Sequence, residues 1–170
     1  CPSFSTMGKR QSFVDPRGGC MMKFLTLCVE LKTKYIVMEN VRGLLSSALK
    51  HRPMSKRGKD YPPLEDNEKP GTVLKLIVEF LETNKYSVSY QLYDAKFFGT
   101  PQSRDRVILM AVHDEPPLPF LEPTHGFEGL PDFKNLGDSI RNLEIMKTHQ
   151  FIQFPKKRLA FFEQLKEGEN

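Results

Sequence analysis

Cysteine is scarce: Cys1, Cys20 and Cys28 are the only three in 170 residues. They form neither an even disulfide framework nor a metal-ligand spacing, so no metal site is expected. Reducing surroundings fit this usage best, with Cys20 and Cys28 read as packing residues on a helix face. Long apolar runs are missing too. None approaches about 18 residues, which excludes a membrane-spanning helix, and no basic-then-apolar leader suggests export. There is no internal repeat and no low-complexity tract. Charge of one sign does not dominate either: the net value of +4 permits a polyanionic partner without arguing for one. What remains is an ordinary globular composition, 39% hydrophobic and 27% charged. The length suits one domain with a real core and barely allows two.

Residues 1 to 18 read as a loop, because Pro2, Gly8, Pro16 and Gly18 leave no sustained period. From Gly19 to Lys32 the apolar positions Met21, Phe24, Leu25, Cys28 and Leu31 follow helical spacing. Tyr35 to Met38 is a short continuous apolar run, the pattern of a strand buried on both faces, and it stops at Glu39 and Asn40. Residues 42 to 49 suit a short helix. His51 to Pro70 holds four prolines, with basic charge first and acidic charge later, and reads as a surface loop. A second helix is predicted over Thr72 to Thr83, with Val73, Leu76, Ile77, Phe80 and Leu81 on one face. Val88, Tyr90 and Leu92 alternate with other residues as in a half-buried strand, and Val107 to Val112 is wholly apolar. After Glu115 a proline-rich stretch runs to Pro131, with weaker helical patterns over Leu136 to Leu143 and Lys156 to Leu165. This order predicts an α/β fold built on a parallel sheet. Further strands are expected on the amino-terminal side, since so few strands cannot cover both faces.

Three segments carry chemistry. Cys1 opens Cys-Pro-Ser-Phe-Ser, and Pro2 restricts it to extended geometry. A thiol is mostly protonated at neutral pH unless positive charge or a dipole lowers its pKa, and a loop cysteine alone is usually structural. Glu39 follows a buried-strand pattern, the place where open α/β sheets put their ligands. Desolvation there would raise its pKa and let it donate a hydrogen bond. Alone it reads equally as a cap or a salt-bridged strand end, with Asn40 as a loop-anchoring amide. Arg104 and Arg106 have the alternate spacing that points two guanidinium groups the same way, towards one anion or base edge. Charged residues protecting a solvated sheet edge have the same pattern. Gly99, Pro101 and Gln102 shape the turn before them. Lys9, Arg10 and Arg17 suit phosphate contacts or a solvated loop face. His125 reads as a structural loop residue, and Lys156, Lys157 and Arg158 as a helix surface.

Taken together these segments resemble the DNA cytosine-5 methyltransferases. Cys1-Pro2-Ser3-Phe4-Ser5 looks like the family's Pro-Cys nucleophile loop without its leading proline, and Asp15-Pro16-Arg17-Gly18 like the stretch after it. Glu39-Asn40-Val41 matches the Glu-Asn-Val motif. Gly99 to Arg106 matches the Gln-x-Arg-x-Arg motif with its turn, and Glu122-Pro123-Thr124-His125 a weaker signature. The likeness covers the first two-thirds of the chain in order.

The resemblance implies that Cys1 attacks carbon 6 of a cytosine flipped out of double-stranded DNA, while Glu39 hydrogen-bonds ring nitrogen 3. Arg104 would contact the cytosine edge, and Arg106 the adduct or a phosphate. Asn40 and Gln102 would support the site, with Ser5, Lys9, Arg10 and Arg17 on the DNA backbone. The implied cofactor is S-adenosylmethionine, and the implied fold is part of a Rossmann-like methyltransferase sheet. The Phe-x-Gly-x-Gly cofactor loop and the target-recognition domain have no counterpart here, so most of the cofactor pocket is expected elsewhere, in missing parts of the same enzyme. The expected division is a catalytic-loop half over residues 1–115 and an irregular and helical segment over 116–170 leading towards target recognition. The expected setting is bacterial restriction-modification, in the cytoplasm at the nucleoid. An RNA cytosine-5 methyltransferase and a non-catalytic DNA-binding or docking fragment are the alternatives.

Overall fold

A computed structural model describes residues 16–141 and 154–166, with the backbone alone for residues 16–18. The chain separates into a larger unit, residues 1–134, and a smaller one, residues 135–170. The larger unit runs α1 (Pro16–Glu30), β1 (Tyr35–Val41), three 3-10 turns (Arg42–Ser46, Met54–Lys56 and Asp66–Glu68), α2 (Thr72–Thr83), β2 (Tyr86–Asp94), a further 3-10 turn (Ala95–Phe98) and β3 (Asp105–His113). The smaller unit contains α3 (Leu136–Ile140) and α4 (Lys156–Phe162).

The three strands form one sheet in the order β1-β3-β2, and β3 is antiparallel to both neighbours. This corrects the expectation of parallel pairing. The outer strands share a direction because the last strand in the chain lies between them, antiparallel to both. Among the described residues β1 is therefore an edge strand, and its exposure alternates: Ile36, Met38 and Asn40 are buried, whereas Tyr35 and Val37 are 53% and 64% exposed. The apolar run predicts burial on both faces, but the described residues cover one. Glu39 and Asn40 also lie inside the strand rather than beyond its end.

One face of the sheet carries the core. Ile36 and Met38 of β1, Leu109 and Ala111 of β3 and Tyr86 of β2 meet Leu25 and Cys28 of α1 and Val73, Leu74, Ile77 and Leu81 of α2. α2 forms where the spacing predicts it. Its interior lacks glycine and proline, and its buried positions recur along one side. Its start is set by Gly71 at φ 85, a left-handed conformation, and by Thr72, whose hydroxyl accepts from the Leu49 amide at 3.0 Å and donates to the Lys69 carbonyl. At its end the Asn84 side-chain Nδ2 donates to the Phe80 carbonyl at 2.7 Å. Each fully buried Leu or Ile here contributes about 1.5–3 kcal/mol of transfer free energy.

α1 buries a narrower stripe than its spacing suggests. Leu25 and Cys28 are covered, but Phe24 and Leu31 are exposed, as is Cys20. In β2 the buried positions are Tyr86, Ser89 and Tyr93, while Tyr90, expected inside, is 42% exposed. Tyr86 explains part of that shift, because its hydroxyl donates to the Thr33 carbonyl at 2.7 Å and ties β2 to the α1–β1 connection. No described helix is long and apolar enough to cross a membrane.

Candidate active site

The antiparallel register brings the two most informative motifs together. Val41 of β1 faces Arg106 of β3, and Glu39 faces Ile108. Glu39 and Arg106 are thus diagonal neighbours on one sheet face, opposite to the core. Arg106 Nε lies 2.5 Å from Glu39 Oε1, and its Nη1 donates to the Asp105 carbonyl at 2.7 Å. A second ion pair stands beside it, Arg42 Nη1 to Asp105 Oδ2 at 3.0 Å. The carboxylate at the end of β1 is therefore held by a cation from the adjacent strand.

Glu39 does not sit in the desolvated position anticipated for it. Its side chain is 55% exposed, against 22% for Arg106. The alternation of β1 turns Glu39 to the uncovered face together with Tyr35 and Val37. Asn40 points the other way and is buried. Its Oδ1 accepts from the Val41 amide at 2.9 Å, and its Nδ2 approaches Met21 Sδ of α1 at 3.9 Å.

Arg104 precedes β3, and its side chain is exposed rather than aligned with that of Arg106 inside the strand. Its backbone is fixed by a residue that sequence reasoning missed, Asp94 at the end of β2. Asp94 Oδ1 accepts from the Arg104 amide at 2.8 Å and the Lys96 amide at 3.3 Å, and Oδ2 accepts from the Ser103 hydroxyl at 2.9 Å. Burial alone would raise the Asp94 pKa. The Arg104 amide, the Ser103 hydroxyl and Lys96 outweigh burial and hold it below its usual range. An aspartate closing a strand just before a turn was the available signal. Gln102 is exposed, and its amide donates to the Thr100 carbonyl at 2.8 Å.

The same turn explains two further sequence features. Gly99 adopts φ 75, and a Cβ there would lie 2.6 Å from the His125 ring. The Phe97 carbonyl accepts from the amides of Thr124 and His125 at 2.8 and 3.0 Å. The Phe97 ring stacks on Phe127 at 5.1 Å and meets Phe133 edge-on at 5.3 Å. Glu122-Pro123-Thr124-His125 thus closes over the turn that leads to the two arginines.

Cys1, Ser5, Lys9 and Arg10 lie outside the described residues. Arg17 falls in the first turn of α1, where the backbone alone is described. Among the described residues, the larger cavities, about 470 and 390 Å³, lie around Lys85 and Asp114, where β2 begins and β3 ends. That is the far end of the sheet from Glu39 and Arg106.

Residues 1–168 match the family model of C-5 cytosine-specific DNA methylases, and the chain belongs to that family. Among curated relatives it is 34% identical to the type II methyltransferase M.AquIA of Picosynechococcus sp. over 136 residues, covering 74% of this chain and 46% of that protein. It is 32% identical to M.BsuRI of Bacillus subtilis over 146 residues, covering 84% and 28%. It is 33% identical to M.NlaIV of Neisseria lactamica over 140 residues, covering 82% and 29%. The chain thus spans less than half the length of these relatives. The family uses S-adenosylmethionine as methyl donor.

Proposed function

We propose that this chain carries the catalytic-loop half of a DNA cytosine-5 methyltransferase of restriction-modification type. The observation that supports it most is the 2.5 Å ion pair joining Glu39 of the Glu-Asn-Val segment to Arg106 of the Gln-x-Arg-x-Arg segment. Two motifs distant in sequence converge on one sheet face, as a shared task requires.

In this reading the Cys1 thiolate bonds to carbon 6 of an extruded cytosine, and the ring electrons move towards carbon 5 and nitrogen 3. A proton shared between a Glu39 carboxyl oxygen and nitrogen 3 neutralises the charge that develops on the ring, and Arg106 positions the Glu39 carboxyl group for that contact. Arg104 reaches the base edge from a turn that Asp94 holds still. Asn40, turned towards α1, steadies the chain that leads back to the nucleophile loop, and Gln102 shapes the turn. Ser5, Lys9, Arg10 and Arg17 contact the DNA backbone. When bound, S-adenosylmethionine supplies the methyl group that carbon 5 accepts. Loss of the carbon 5 proton and expulsion of the Cys1 thiolate then restore the aromatic ring.

The three strands would be one flank of a Rossmann-like sheet, with a further strand of the enzyme along β1. The outer edge of β1 is unpaired among the described residues, and Tyr35 and Val37 beside it are exposed. Residues 1–115 would form the catalytic half, and residues 116–170 would lead towards a target-recognition region. The setting we infer for such an enzyme is the bacterial cytoplasm, at the nucleoid.

Duplex DNA carrying 5-fluorocytosine tests the reading, because fluorine cannot leave carbon 5 as a cation and the adduct persists. The enzyme containing this chain should be trapped covalently in the presence of S-adenosylmethionine, and Cys1→Ser should abolish trapping. An adduct that survives Cys1→Ser, or one formed with RNA and not with DNA, would refute the assignment.

A further inference from the structure

Between β1 and α2 the chain makes a long excursion, and its charge is sorted. Residues 50–59 contain Lys50, Arg52, Lys56, Arg57 and Lys59, with His51 and no carboxylate. The acidic residues Asp60, Glu65, Asp66 and Glu68 follow. An internal network uses some of the cations. Glu68 is 2% exposed and pairs with Arg52, and Lys50 Nζ reaches Glu65 at 3.0 Å and Glu68 at 3.5 Å. The Glu68 carboxyl group is held below its usual range, chiefly by Arg52. Arg52 also donates to the Pro62 carbonyl at 2.6 Å, and the Lys50 amide to the Asn67 carbonyl at 2.9 Å. A buried, fully engaged carboxylate therefore staples both ends of the excursion.

Lys56, Arg57 and Lys59 stand outside that network, with no carboxylate partner among the described residues. Lys56 and Lys59 are exposed. Arg57 is half-buried, and its Nε donates to the Arg52 carbonyl at 2.9 Å, which aims the rest of the guanidinium group. Arg57 and His51 line a cavity of about 130 Å³ together with Gly43, Ser46, Ser47 and Glu68, whose carboxylate is already paired with Arg52 and Lys50. Gly43 and Ser46 belong to the 3-10 turn that directly follows Glu39, Asn40 and Val41. The cations thus stand on the same end of the sheet as the Glu39–Arg106 pair.

We infer that residues 50–59 form a second contact with the DNA backbone, in which Lys56, Arg57 and Lys59 take successive phosphates and the cavity beside Arg57 seats one of them. The inference rests on the DNA reading above and adds a surface to it. Sequence specificity is not assigned to this surface, because phosphate contacts position a duplex without reading it.

Each phosphate neutralised contributes about 0.9 to the slope of log K against log salt. The test is fluorescence anisotropy of a short mixed-sequence DNA duplex over a series of potassium chloride concentrations. Lys56→Gln/Arg57→Gln/Lys59→Gln should lower the slope by about 2 to 3, and Lys56→Gln/Lys59→Gln, which spares the Arg57–Arg52 bond, by about 2. Lys32→Asn/Lys85→Asn removes equal charge where β1 and β2 begin, and should leave the slope unchanged. The proposal is overturned if the loop variants keep the wild-type slope, or if the Lys32/Lys85 variant loses as much. Trapping on 5-fluorocytosine DNA separates the two readings. A trapped enzyme with an unaltered slope rejects the loop contact alone, whereas a loop-dependent slope without any trapping rejects the methylation chemistry alone.

Discussion

Glu39 and Arg106 show what a pair of residues can do without burial. A half-exposed ion pair is worth about 0.2–1 kcal/mol of stability, so the fold does not depend on it. What it provides is direction, since a carboxylate fixed at 2.5 Å from a guanidinium group cannot sample its other rotamers freely. Arg106→Ala is therefore expected to slow adduct formation on 5-fluorocytosine DNA by about 10²-fold, the scale at which misplacing a catalytic group is felt. The urea midpoint should barely move. Arg106→Lys should recover little of the rate, because an ammonium group lacks the planar geometry. Equal loss of rate and stability would mean that the pair is structural. The motifs themselves were legible in the sequence, yet this pairing was not. Spacing places Arg104 and Arg106 on one side of a strand. Only the antiparallel register shows that Arg106 faces β1, while Arg104 lies before the strand with its amide held by Asp94.

At the level of elements, the turn between β2 and β3 shows how a weak sequence signal acquires a physical cause. Gly99 is required twice over, by its left-handed φ of 75 and by the His125 ring that would meet a Cβ at 2.6 Å. Gly99→Ala should destabilise the fold by about 1–2 kcal/mol from backbone conformation alone, with the steric clash in addition. Gly99→Ala/His125→Ala should recover the clash and not the backbone part, so thermal melts of the two variants give the size of each. If the double variant melts no higher than Gly99→Ala, the ring contact is unimportant. α2 and β3 were legible for a different reason: their apolar positions recur at the period of the element they form. β1 misled because four consecutive apolar residues do not reveal how many faces are covered. α1 misled similarly, since helical spacing names an apolar side without showing how wide a stripe its neighbours bury.

The molecule as a whole should respond to acid in one direction. Glu68, Asp66 and Asp94 all have lowered pKa values in the fold, from starting values of 4.5 for Glu68 and 3.8 for the two aspartates. For Asp66 the first cause is the hydrogen bond from Lys69. The unfolded chain therefore takes up these protons first as the pH falls, and stability drops with it. The contribution is complete above those starting values and is lost as pH falls below them. Urea midpoints measured from about pH 6 down to about pH 3 should decline steadily, and Glu68→Gln should flatten part of the decline. A midpoint that rises on acidification would contradict these shifts. Lys34 and Lys50, raised above 10.5 by the hydrogen bonds they donate to Glu115 and Glu65, lose their contribution only at alkaline pH.

The bare flank of β1 has a consequence for handling the chain. Its outward amides and carbonyls, bordered by Tyr35 and Val37, form a template that any extended peptide can join, including the same strand of another copy. Self-association of this kind grows with concentration and lengthens the sheet in its own plane, leaving the face on which Glu39 and Arg106 meet uncovered. Dilution, or a capping strand supplied in trans, is accordingly the condition under which single copies persist.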